Sequence, residues 1–368
     1  MKNLYQIIRH LGKCGKLFMS ELSFYRGRKV LITGHTGFKG SWLCRLLLLI
    51  GADVIGYALP AENINTLYDI VGIKKDIESI EGDIRNVQHL KDIVKKFKPE
   101  FIIHMAAQPI VRESYTNPLY TYETNIMGTA NILEAIRVTN CVRSFVNVTT
   151  DKVYQNNEWL WGYRENEALN GYDPYSNSKS CSELVTSCYK NSFFKNTDIA
   201  ISTARAGNVI GGGDFAKDRI IPDCIRAARD GNNIIVRNPN SIRPYQHVLD
   251  PICAYLLIAK GQYKDNVFAD SYNVGPDECD CIATSELVTE FCNAWGDGVT
   301  WISKKNDGPH EANYLKLDCS KIKAAFDWKS RYNIKQAVAK TVEWTKIYFN
   351  SDDVVTCMDR QINDILSL

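Results

Sequence analysis

Short apolar runs alternate with longer, mixed segments over the first two thirds of the chain. The run at 29–33, KVLIT, is apolar and rich in β-branched residues, which is typical of a buried parallel strand. Further strands are predicted at 53–59, 79–84, 101–107, 144–150 and 198–210, with helices at 41–52, 87–97, 119–139 and 174–191. This alternation predicts an α/β fold with a Rossmann-type, doubly wound parallel sheet.

The alternation weakens after the glycines at 211–213. We therefore predict an N-terminal extension at residues 1–27 and an NAD(P)-binding Rossmann domain at 28–206, completed by segments within 245–275. Residues 207–368 are predicted to form mainly a smaller, mixed α/β substrate-binding domain. Ligands are expected at the carboxyl ends of the parallel strands, where such sheets leave a crevice.

Composition argues against nucleic-acid binding, a membrane span and a metal site. The 368 residues carry a net charge of +2, so a basic field for nucleic acid is not expected. No run approaches the ~20 apolar residues of a membrane span. The 12 cysteines show no paired C-x-x-C spacing, which predicts no metal site and favours reduced thiols in a cytoplasmic protein.

Three glycines follow the first strand at G-x-x-G-x-x-G spacing. Gly34 allows a tight turn, Gly37 lets the backbone approach a pyrophosphate, and Gly40 permits close packing of helix on strand. By itself the motif is a weak signal, and a glycine-rich turn without a ligand is the alternative. The predicted cofactor contacts in this turn are Gly34, Thr36, Gly37, Phe38, Lys39 and Gly40.

The acidic residue that usually ends the second strand and holds the adenosine ribose is missing. That strand ends in Tyr57-Ala58-Leu59, while the loop offers His35 and Lys39, which are compatible with a 2′-phosphate. NAD is the predicted cofactor, and NADP is not excluded. Asp83, after the third strand, is either an adenine contact or part of an ordinary turn.

A Y-x-x-x-K pair marks the predicted helix at 174–191. Tyr175 and Lys179 lie one turn apart on one face, so the lysine could hold the nicotinamide ribose and lower the pKa of the phenol. Thr150 and Asp151 end a predicted strand at the same crevice. A hydroxyl, a phenol and an ammonium group around a nicotinamide form a hydride-transfer site.

The motifs TGHTGFKG, HMAAQ, TNIMGT, YSNSK and GNVIGGGD occur in the order found in the extended short-chain dehydrogenase/reductases. Within that group the chain resembles the CDP-glucose 4,6-dehydratases, through stretches such as NVTTDKVY, EWLWGYRE, RPYQHVLDP and NYLKLDCSK. The resemblance covers residues 28 to about 344. It implies further cofactor contacts at Asp83, Ile84, Ala106, Ala107, Gln108, Tyr175 and Lys179.

The resemblance also implies a reaction. A bound NAD oxidises carbon 4 of CDP-glucose, water is eliminated across carbons 5 and 6, and the hydride returns to carbon 6, giving CDP-4-keto-6-deoxyglucose. Tyr175 would be the first base, supported by Lys179 and Thr150, and Asp151 would protonate the departing hydroxyl. Asn125 would order the proton-relay region beside the substrate. The product would serve deoxysugar biosynthesis for a surface glycan such as a lipopolysaccharide O-antigen.

Position 152 is a lysine, where the thymidine-nucleotide dehydratases have a glutamate base. Only roughly one lysine in 2,500 is neutral at pH 7 when its pKa is about 10.4. Lys152 could therefore act as the carbon-5 base after strong depression of its pKa, or remain charged and stabilise the enolate. The sequence leaves both roles open.

Asn208, Arg219 and Arg243 are the predicted substrate-binding residues in the second half, since arginines clamp a diphosphate with charge-assisted hydrogen bonds. Arg219 could instead pair with Asp218 or Asp223. Trp159 and Trp161 could form a wall of the sugar site or fill the domain junction.

Rival functions are an epimerase or decarboxylase of the same superfamily, which Asp151 disfavours, and a non-catalytic nucleotide-binding regulator, which the intact set of catalytic residue types disfavours. No residue identifies the nucleotide base. The family also implies a homodimer or a dimer of dimers, formed by the helices that carry Asn125 and Tyr175.

Overall fold

The computed structural model describes residues 21–60, 66–304 and 312–367. Its strands are β1 (Lys29–Thr33), β2 (Asp53–Ala58), β3 (Glu78–Glu81), β4 (Phe101–His104), β5 (Ser144–Val148), β6 (Ala200–Ala206), β7 (Val209–Ile210), β8 (Ile234–Val236), β9 (Ile242–Pro244), β10 (Gln246–His247), β11 (Ser271–Val274), β12 (Cys281–Ala283) and β13 (Trp301–Ser303).

The α-helices are α1 (Phe38–Leu49), α2 (Leu67–Ile70), α3 (Val87–Phe97), α4 (Val111–Thr116), α5 (Pro118–Tyr122), α6 (Gly128–Thr139), α7 (Pro174–Tyr189), α8 (Ile220–Arg229), α9 (Leu249–Lys264), α10 (Thr284–Trp295), α11 (Ser320–Phe326), α12 (Ile334–Phe349) and α13 (Val354–Ser367). Single π-helical turns at Glu123–Met127 and Lys190–Phe194 follow α5 and α7.

Seven parallel strands form the central sheet in the order β11-β6-β5-β4-β1-β2-β3. The chain builds outward from β1 in one direction and then returns to build outward from β4 in the other. The order therefore reverses between β1 and β4, which is where a doubly wound sheet leaves its ligand crevice. This confirms the predicted fold class.

Helices cover both faces of the sheet, and the central strands alternate between two cores. Val30 and Ile32 of β1 contribute to a core with α1 and α9, whereas Leu31 contributes to a second core with α3 and α6. Successive side chains of a strand point to opposite faces. A continuous apolar run is therefore the sequence pattern that a strand buried on both sides requires.

Several boundaries differ from the sequence-based expectation. Helix α1 begins at Phe38 rather than 41, and β4 ends at His104, so residues 105–107 lie in a loop. The strand expected at 198–210 is two strands, because the chain leaves the sheet at Gly207. A Cβ on Gly207 would lie 2.6 Å from the Pro244 ring, which shows how closely the two segments pass.

The second half of the chain contributes to the main sheet and also forms smaller units. Strand β11 pairs with β6, and α9 packs on β5 and β6. Three two-stranded sheets, β7/β10, β8/β13 and β9/β12, accompany α8 and the last helices. The boundary between a cofactor domain and a substrate domain stays a prediction. Over the described ranges, no helix is both long and apolar enough to cross a membrane.

Candidate active site

A cavity of about 980 Å³ opens at the carboxyl ends of the strands. Nine of the predicted site residues line it: Phe38, Lys39, Thr150, Asp151, Lys152, Tyr175, Asn208, Arg219 and Arg243. Residues from both halves of the sequence therefore meet at one site.

Asp151 is held by the turn that follows β5. The Thr150 hydroxyl accepts a hydrogen bond from the Lys152 amide (3.4 Å) and donates one to Asp151 Oδ1 (3.0 Å). The Asp151 side chain is buried, and its Oδ2 has no partner among the described residues. Burial raises the pKa of this carboxyl, and the positive charges of Lys152 and Arg243 offset part of the rise.

Tyr175 lies in the first turn of α7. Asp173 caps this helix by accepting a hydrogen bond from the Ser176 amide (2.9 Å), and Pro174 occupies its first position. One turn later, Lys179 is buried and its Nζ donates to the Val148 carbonyl (3.2 Å), at the end of β5. The helix and the strand end are thereby fixed to each other.

The expectation that Lys179 lowers the pKa of Tyr175 is wrong for the protein by itself. Burial raises the pKa of Tyr175 to about 12, although a hydrogen bond with Thr150 and the charge of Arg219 lower it in part. The Lys179 ammonium is directed to a main-chain carbonyl rather than to the phenol. Removal of water from the phenol therefore outweighs the nearby positive charges.

Two lysines beside the cavity have lowered pKa values. Burial, together with the charge of Arg219, lowers the pKa of Lys39 to about 8. Burial, together with the charge of Lys39, lowers the pKa of Lys179 to about 7. In both lysines, desolvation and a neighbouring cation outweigh the attraction of nearby carboxylates, such as Glu183 beside Lys179, so an anionic ligand would raise both pKa values.

The glycine turn has the form that a pyrophosphate needs. Gly34 has a φ of +76°, and a Cβ there would lie 2.9 Å from the Ala106 amide nitrogen. A Cβ on Gly40 would overlap the Gly34 carbonyl oxygen. At Gly37, by contrast, a Cβ would meet only that oxygen at 3.4 Å. No side chain caps the first amides of α1, so they remain available to an anion.

His35 is not placed to recognise a 2′-phosphate, contrary to expectation. Its ring is buried against Gly56, with Nε2 2.9 Å from the Ser79 hydroxyl, and burial lowers its pKa to about 4. A neutral, enclosed imidazole offers no positive charge to a ligand. Lys39 lines the cavity instead, and the Thr36 hydroxyl donates to the Leu59 carbonyl at 3.4 Å.

The other predicted cofactor contacts lie outside the cavity wall. The Asp83 carboxylate is paired with Arg85 (2.7 Å), which lowers its pKa, and it also accepts from the Arg85 amide (2.8 Å), so it forms a closed turn. Ile84 packs against Gly128. Ala106 donates its amide to the Thr33 hydroxyl (3.1 Å), beside Gly34, and Ala107 follows it in the same loop.

Asn125 acts on the loop after β4 rather than on the cavity. It lies in the π-helical turn after α5, its Oδ1 accepts from the Gln108 amide (2.8 Å), and its Nδ2 donates to the Gln108 carbonyl (3.1 Å) and to the Ser178 hydroxyl (2.8 Å). Its amide group is therefore already occupied. The Gln108 side chain is held in turn by Thr121 and Ile110.

The substrate-side arginines have partners that the sequence did not reveal. Arg219 forms an ion pair with Asp214 (2.9 Å), not with Asp218 or Asp223. Arg243 is 8% exposed and donates to the main-chain carbonyls of Ile242 (2.9 Å) and Ala312. Its guanidinium is thereby fixed at the cavity wall.

Neither tryptophan of the EWLWGYRE stretch lines this cavity. Trp159 stacks on Tyr163, with ring centroids 5.5 Å apart, and Trp161 is 60% exposed. The idea that they enclose the sugar is therefore wrong.

Among the charged cavity residues, Arg112 and Arg237 escaped the sequence analysis, and Asp214 and Asp218 were not assigned to the site. Asp218 accepts from both Arg112 (3.5 Å) and Arg237 (3.4 Å). Asp214 lies within the GNVIGGGD motif and could have been found there, but nothing in the sequence brings the two arginines together.

Within residues 21–60, 66–304 and 312–367, no group of three or more His, Cys, Asp or Glu side chains is placed to share an ion.

Comparison with known proteins places this geometry in a family. The family described as GDP-mannose 4,6 dehydratase matches residues 31–341. A CDP-glucose 4,6-dehydratase of Salmonella typhimurium (strain LT2) is 45% identical over 355 residues, covering 95% of this chain and 99% of that protein.

Two solved structures share the fold. A UDP-glucose 4-epimerase of Thermotoga maritima with UDP-glucose has a TM-score of 0.76 at 20% identity, covering 87% of this chain and 99% of the other. A dTDP-glucose 4,6-dehydratase of Bacillus anthracis in complex with NAD has a TM-score of 0.74 at 21% identity, covering 89% and 99%. The chain therefore belongs to the GDP-mannose 4,6 dehydratase family, which confirms the resemblance to the extended short-chain dehydrogenase/reductases that its motifs indicated.

Proposed function

We propose that this protein is an NAD-dependent nucleotide-sugar 4,6-dehydratase that converts CDP-glucose to CDP-4-keto-6-deoxyglucose and water. The observation that carries the proposal is the buried Asp151 carboxyl, with one unpartnered oxygen, in the same cavity as Tyr175. An acid at this point is needed to expel a hydroxyl as water. Epimerisation of a keto sugar needs no such acid, so this residue favours dehydration over the epimerase alternative.

The glycine turn and the two lysines fit a dinucleotide. The uncapped amides of α1 and the ammonium groups of Lys39 and Lys179 supply donors and positive charge for its phosphates and ribose. When bound, NAD supplies the hydride acceptor and donor, and its oxidised ring adds a positive charge that favours ionisation of a nearby phenol. Asp83 is paired with Arg85, so we assign it to the turn rather than to direct base recognition.

Tyr175 acts first in this scheme. Its phenolate takes the proton of the carbon-4 hydroxyl as that carbon is oxidised to a ketone. In this scheme the Thr150 hydroxyl, which donates to Asp151 Oδ1 in the free protein, donates to the phenolate oxygen instead, and the charge of Arg219 also supports ionisation of the phenol. The new ketone then acidifies the hydrogen on carbon 5.

Asp151 and Lys152 carry the elimination. The proton leaves carbon 5, and the carbon-6 hydroxyl departs as water with a proton from the Asp151 carboxyl. Burial favours the neutral form of that carboxyl, which is the form that donates. Lys152 lines the same cavity and serves carbon 5, as the base or as the positive charge that stabilises the enolate. Return of the hydride to carbon 6 and of a proton to carbon 5 completes the balance.

The substrate's diphosphate is assigned to Asn208, Arg219 and Arg243, which line the same cavity. Arg219 exchanges its Asp214 partner for a phosphate oxygen in this scheme, and Arg243 is already oriented by two carbonyl groups. Cytidine as the nucleoside rests on similarity to the Salmonella protein.

The direct test incubates the protein with NAD, or with NADP, and a panel of CDP-, UDP-, dTDP- and GDP-hexoses. A 4-keto-6-deoxy product, detected by its absorbance in alkali, is expected with CDP-glucose. Inversion of a hydroxyl group without loss of water would identify an epimerase and reject the proposal. Turnover without added cofactor would show that NAD is retained during purification.

We further propose a homodimer, or a dimer of such dimers, formed by the outer faces of α5, α6 and α7. These helices pack together, and they expose Leu119 (77%) and Leu184 (55%), with Met127 in the connecting π-helical turn also exposed. Sedimentation equilibrium is expected to give a dimer, which Leu184→Glu converts to a monomer. An unchanged mass in that variant would reject this interface.

We propose that residues 28–206 with segments of 245–275 bind the cofactor and that the remainder of 207–368 mainly binds the substrate. We propose that the product serves deoxysugar biosynthesis for a surface glycan. We also propose a cytoplasmic location, because the eleven described cysteines are free thiols, as in a reducing compartment. Fractionation of the native host would test the location.

A further inference from the structure

One buried carboxylate behind the active site takes no part in the scheme above. Glu183 lies on α7 one turn after Lys179 and is 2% exposed. Its Oε1 accepts from the Thr149 hydroxyl (2.5 Å), and its Oε2 accepts from the Thr203 hydroxyl (2.7 Å) and from Arg205 Nη2 (2.9 Å). A buried charge in the interior is usually stabilised by such a full set of partners.

The three partners come from two strands of the central sheet. Thr149 directly precedes the Thr150–Asp151 turn at the end of β5, whereas Thr203 and Arg205 belong to β6. Glu183 is thus a further point, besides the hydrogen bond from Lys179 to the Val148 carbonyl, at which α7 is tied to the end of β5. Oε1 contacts the residue after β5, whereas Oε2 contacts two residues of β6. A substitution can therefore remove one of these connections and leave the other in place.

We propose that Glu183 is a positioning residue for the reaction, which holds the Thr149–Asp151 strand end against α7 and supplies the negative charge beside the Lys179 ammonium. This inference rests on the proposed dehydratase function. It assigns Glu183 no contact with substrate.

The charges around Lys179 support the second half of the proposal. Lys39 from α1 repels the ammonium group, and β5 contributes the Val148 carbonyl as its hydrogen-bond acceptor. His104 from β4 is neutral because burial lowers its pKa to about 3. Glu183 is the described side chain whose charge raises the pKa of Lys179. Without it, less of the lysine would carry a proton at neutral pH.

A purely structural alternative also exists. Glu183 and Arg205 form a buried ion pair, and Arg205 Nη1 continues to the Tyr154 hydroxyl (2.8 Å), which donates to Asn273 (2.6 Å). Removing one charge of such a pair leaves the other buried and unpaired, which is strongly destabilising. A single Glu183 substitution therefore cannot separate the two interpretations.

Two threonines provide a matched pair for the positioning role. Thr149→Val and Thr203→Val each remove one hydroxyl donor to Glu183, at sites of equal burial, and both leave the charge in place. Thr149→Val is expected to lower kcat for the 4-keto-6-deoxy product by roughly tenfold, the effect of about one hydrogen bond. Thr203→Val is expected to leave kcat within about twofold. Equal losses in the two variants would overturn the positioning role.

The charge role is tested with Glu183→Gln/Arg205→Met, which removes both charges and leaves neither unpaired. The pH dependence of Lys179 acylation by acetic anhydride, read by mass spectrometry, follows the lysine without requiring turnover. The midpoint is expected to move to lower pH by roughly one unit in the double variant and to stay in place in Thr203→Val. An unmoved midpoint in the folded double variant would overturn the charge role.

Failure of the dehydratase proposal can be distinguished from failure of the Glu183 proposal. In that case the wild-type protein makes no keto sugar from any nucleotide hexose, while the acylation midpoint still reports on Glu183.

Discussion

The site geometry predicts that Asp151→Asn removes the acid that the elimination step requires. An asparagine keeps the shape of the side chain and still accepts the Thr150 hydrogen bond through its oxygen. It replaces the unpartnered carboxyl oxygen with an amide nitrogen, which has no proton to transfer at neutral pH. The substitution thus removes the proposed acid and little else.

The magnitude follows from the role of the acid. A positioned general acid contributes about 10²–10⁴ in rate, which corresponds to roughly 3–5 kcal/mol of the barrier at about 1.4 kcal/mol per factor of ten. With an ordinary pKa near 3.9, roughly one aspartate in 1,200 would be protonated at pH 7. Burial raises the pKa of Asp151, and each unit of rise increases the donating fraction tenfold. Activity should therefore fall as pH rises through this pKa.

The assay separates the two half-reactions. Asp151→Asn is expected to oxidise carbon 4 and accumulate the reduced cofactor, seen by its absorbance, while formation of the 4-keto-6-deoxy sugar falls about 10²–10⁴-fold. Solvent deuterium should still enter at carbon 5. A product rate within tenfold of wild type, or loss of cofactor reduction together with loss of product, would refute the assignment of Asp151 as the acid.

Stability provides the control. A carboxyl whose folded pKa is raised opposes folding once it is charged, so its cost is present above the folded pKa and disappears as pH falls towards the unfolded value. Asp151→Asn should therefore be at least as stable as wild type at neutral pH. Asp250→Asn is a matched variant, because Asp250 is equally buried with one unpartnered oxygen but lies away from the cavity, against Arg331. It should leave turnover unchanged.

Four further substitutions test the other assignments. Tyr175→Phe removes the first base, so cofactor reduction in a single turnover should slow about 10²–10⁴-fold; reduction at the wild-type rate would contradict the role. Gly40→Ala places a methyl group against the Gly34 carbonyl oxygen, so it should lower the free energy of unfolding by roughly 1–3 kcal/mol and also weaken NAD binding. Gly37→Ala should weaken NAD binding but leave the free energy of unfolding unchanged. Calorimetry and fluorescence titration separate the two, and equal stability losses would contradict this account. Lys152→Ala should retain carbon-4 oxidation but slow elimination, and unchanged solvent-hydrogen exchange at carbon 5 would reject the role of Lys152.

Local patterns were sufficient for the framework of this protein. The strand at Lys29–Thr33 and the helix at Val87–Phe97 agree with their predicted bounds, because a run buried on both faces and an amphipathic repeat are each encoded by neighbouring residues. The glycine turn was equally readable, since its spacing reflects backbone clashes within a few residues. Motif order along the chain also identified the family.

Only the tertiary structure decided how the site residues behave. The sequence could not show that His35 is enclosed by a neighbouring strand, that Arg219 selects Asp214, or that Asn125 is occupied by the loop after β4. Nor could it show that burial raises the pKa of Tyr175, because desolvation depends on every segment packed around the phenol. Residue type and spacing specify which groups reach the crevice, whereas partners and protonation depend on contacts between residues far apart in the chain.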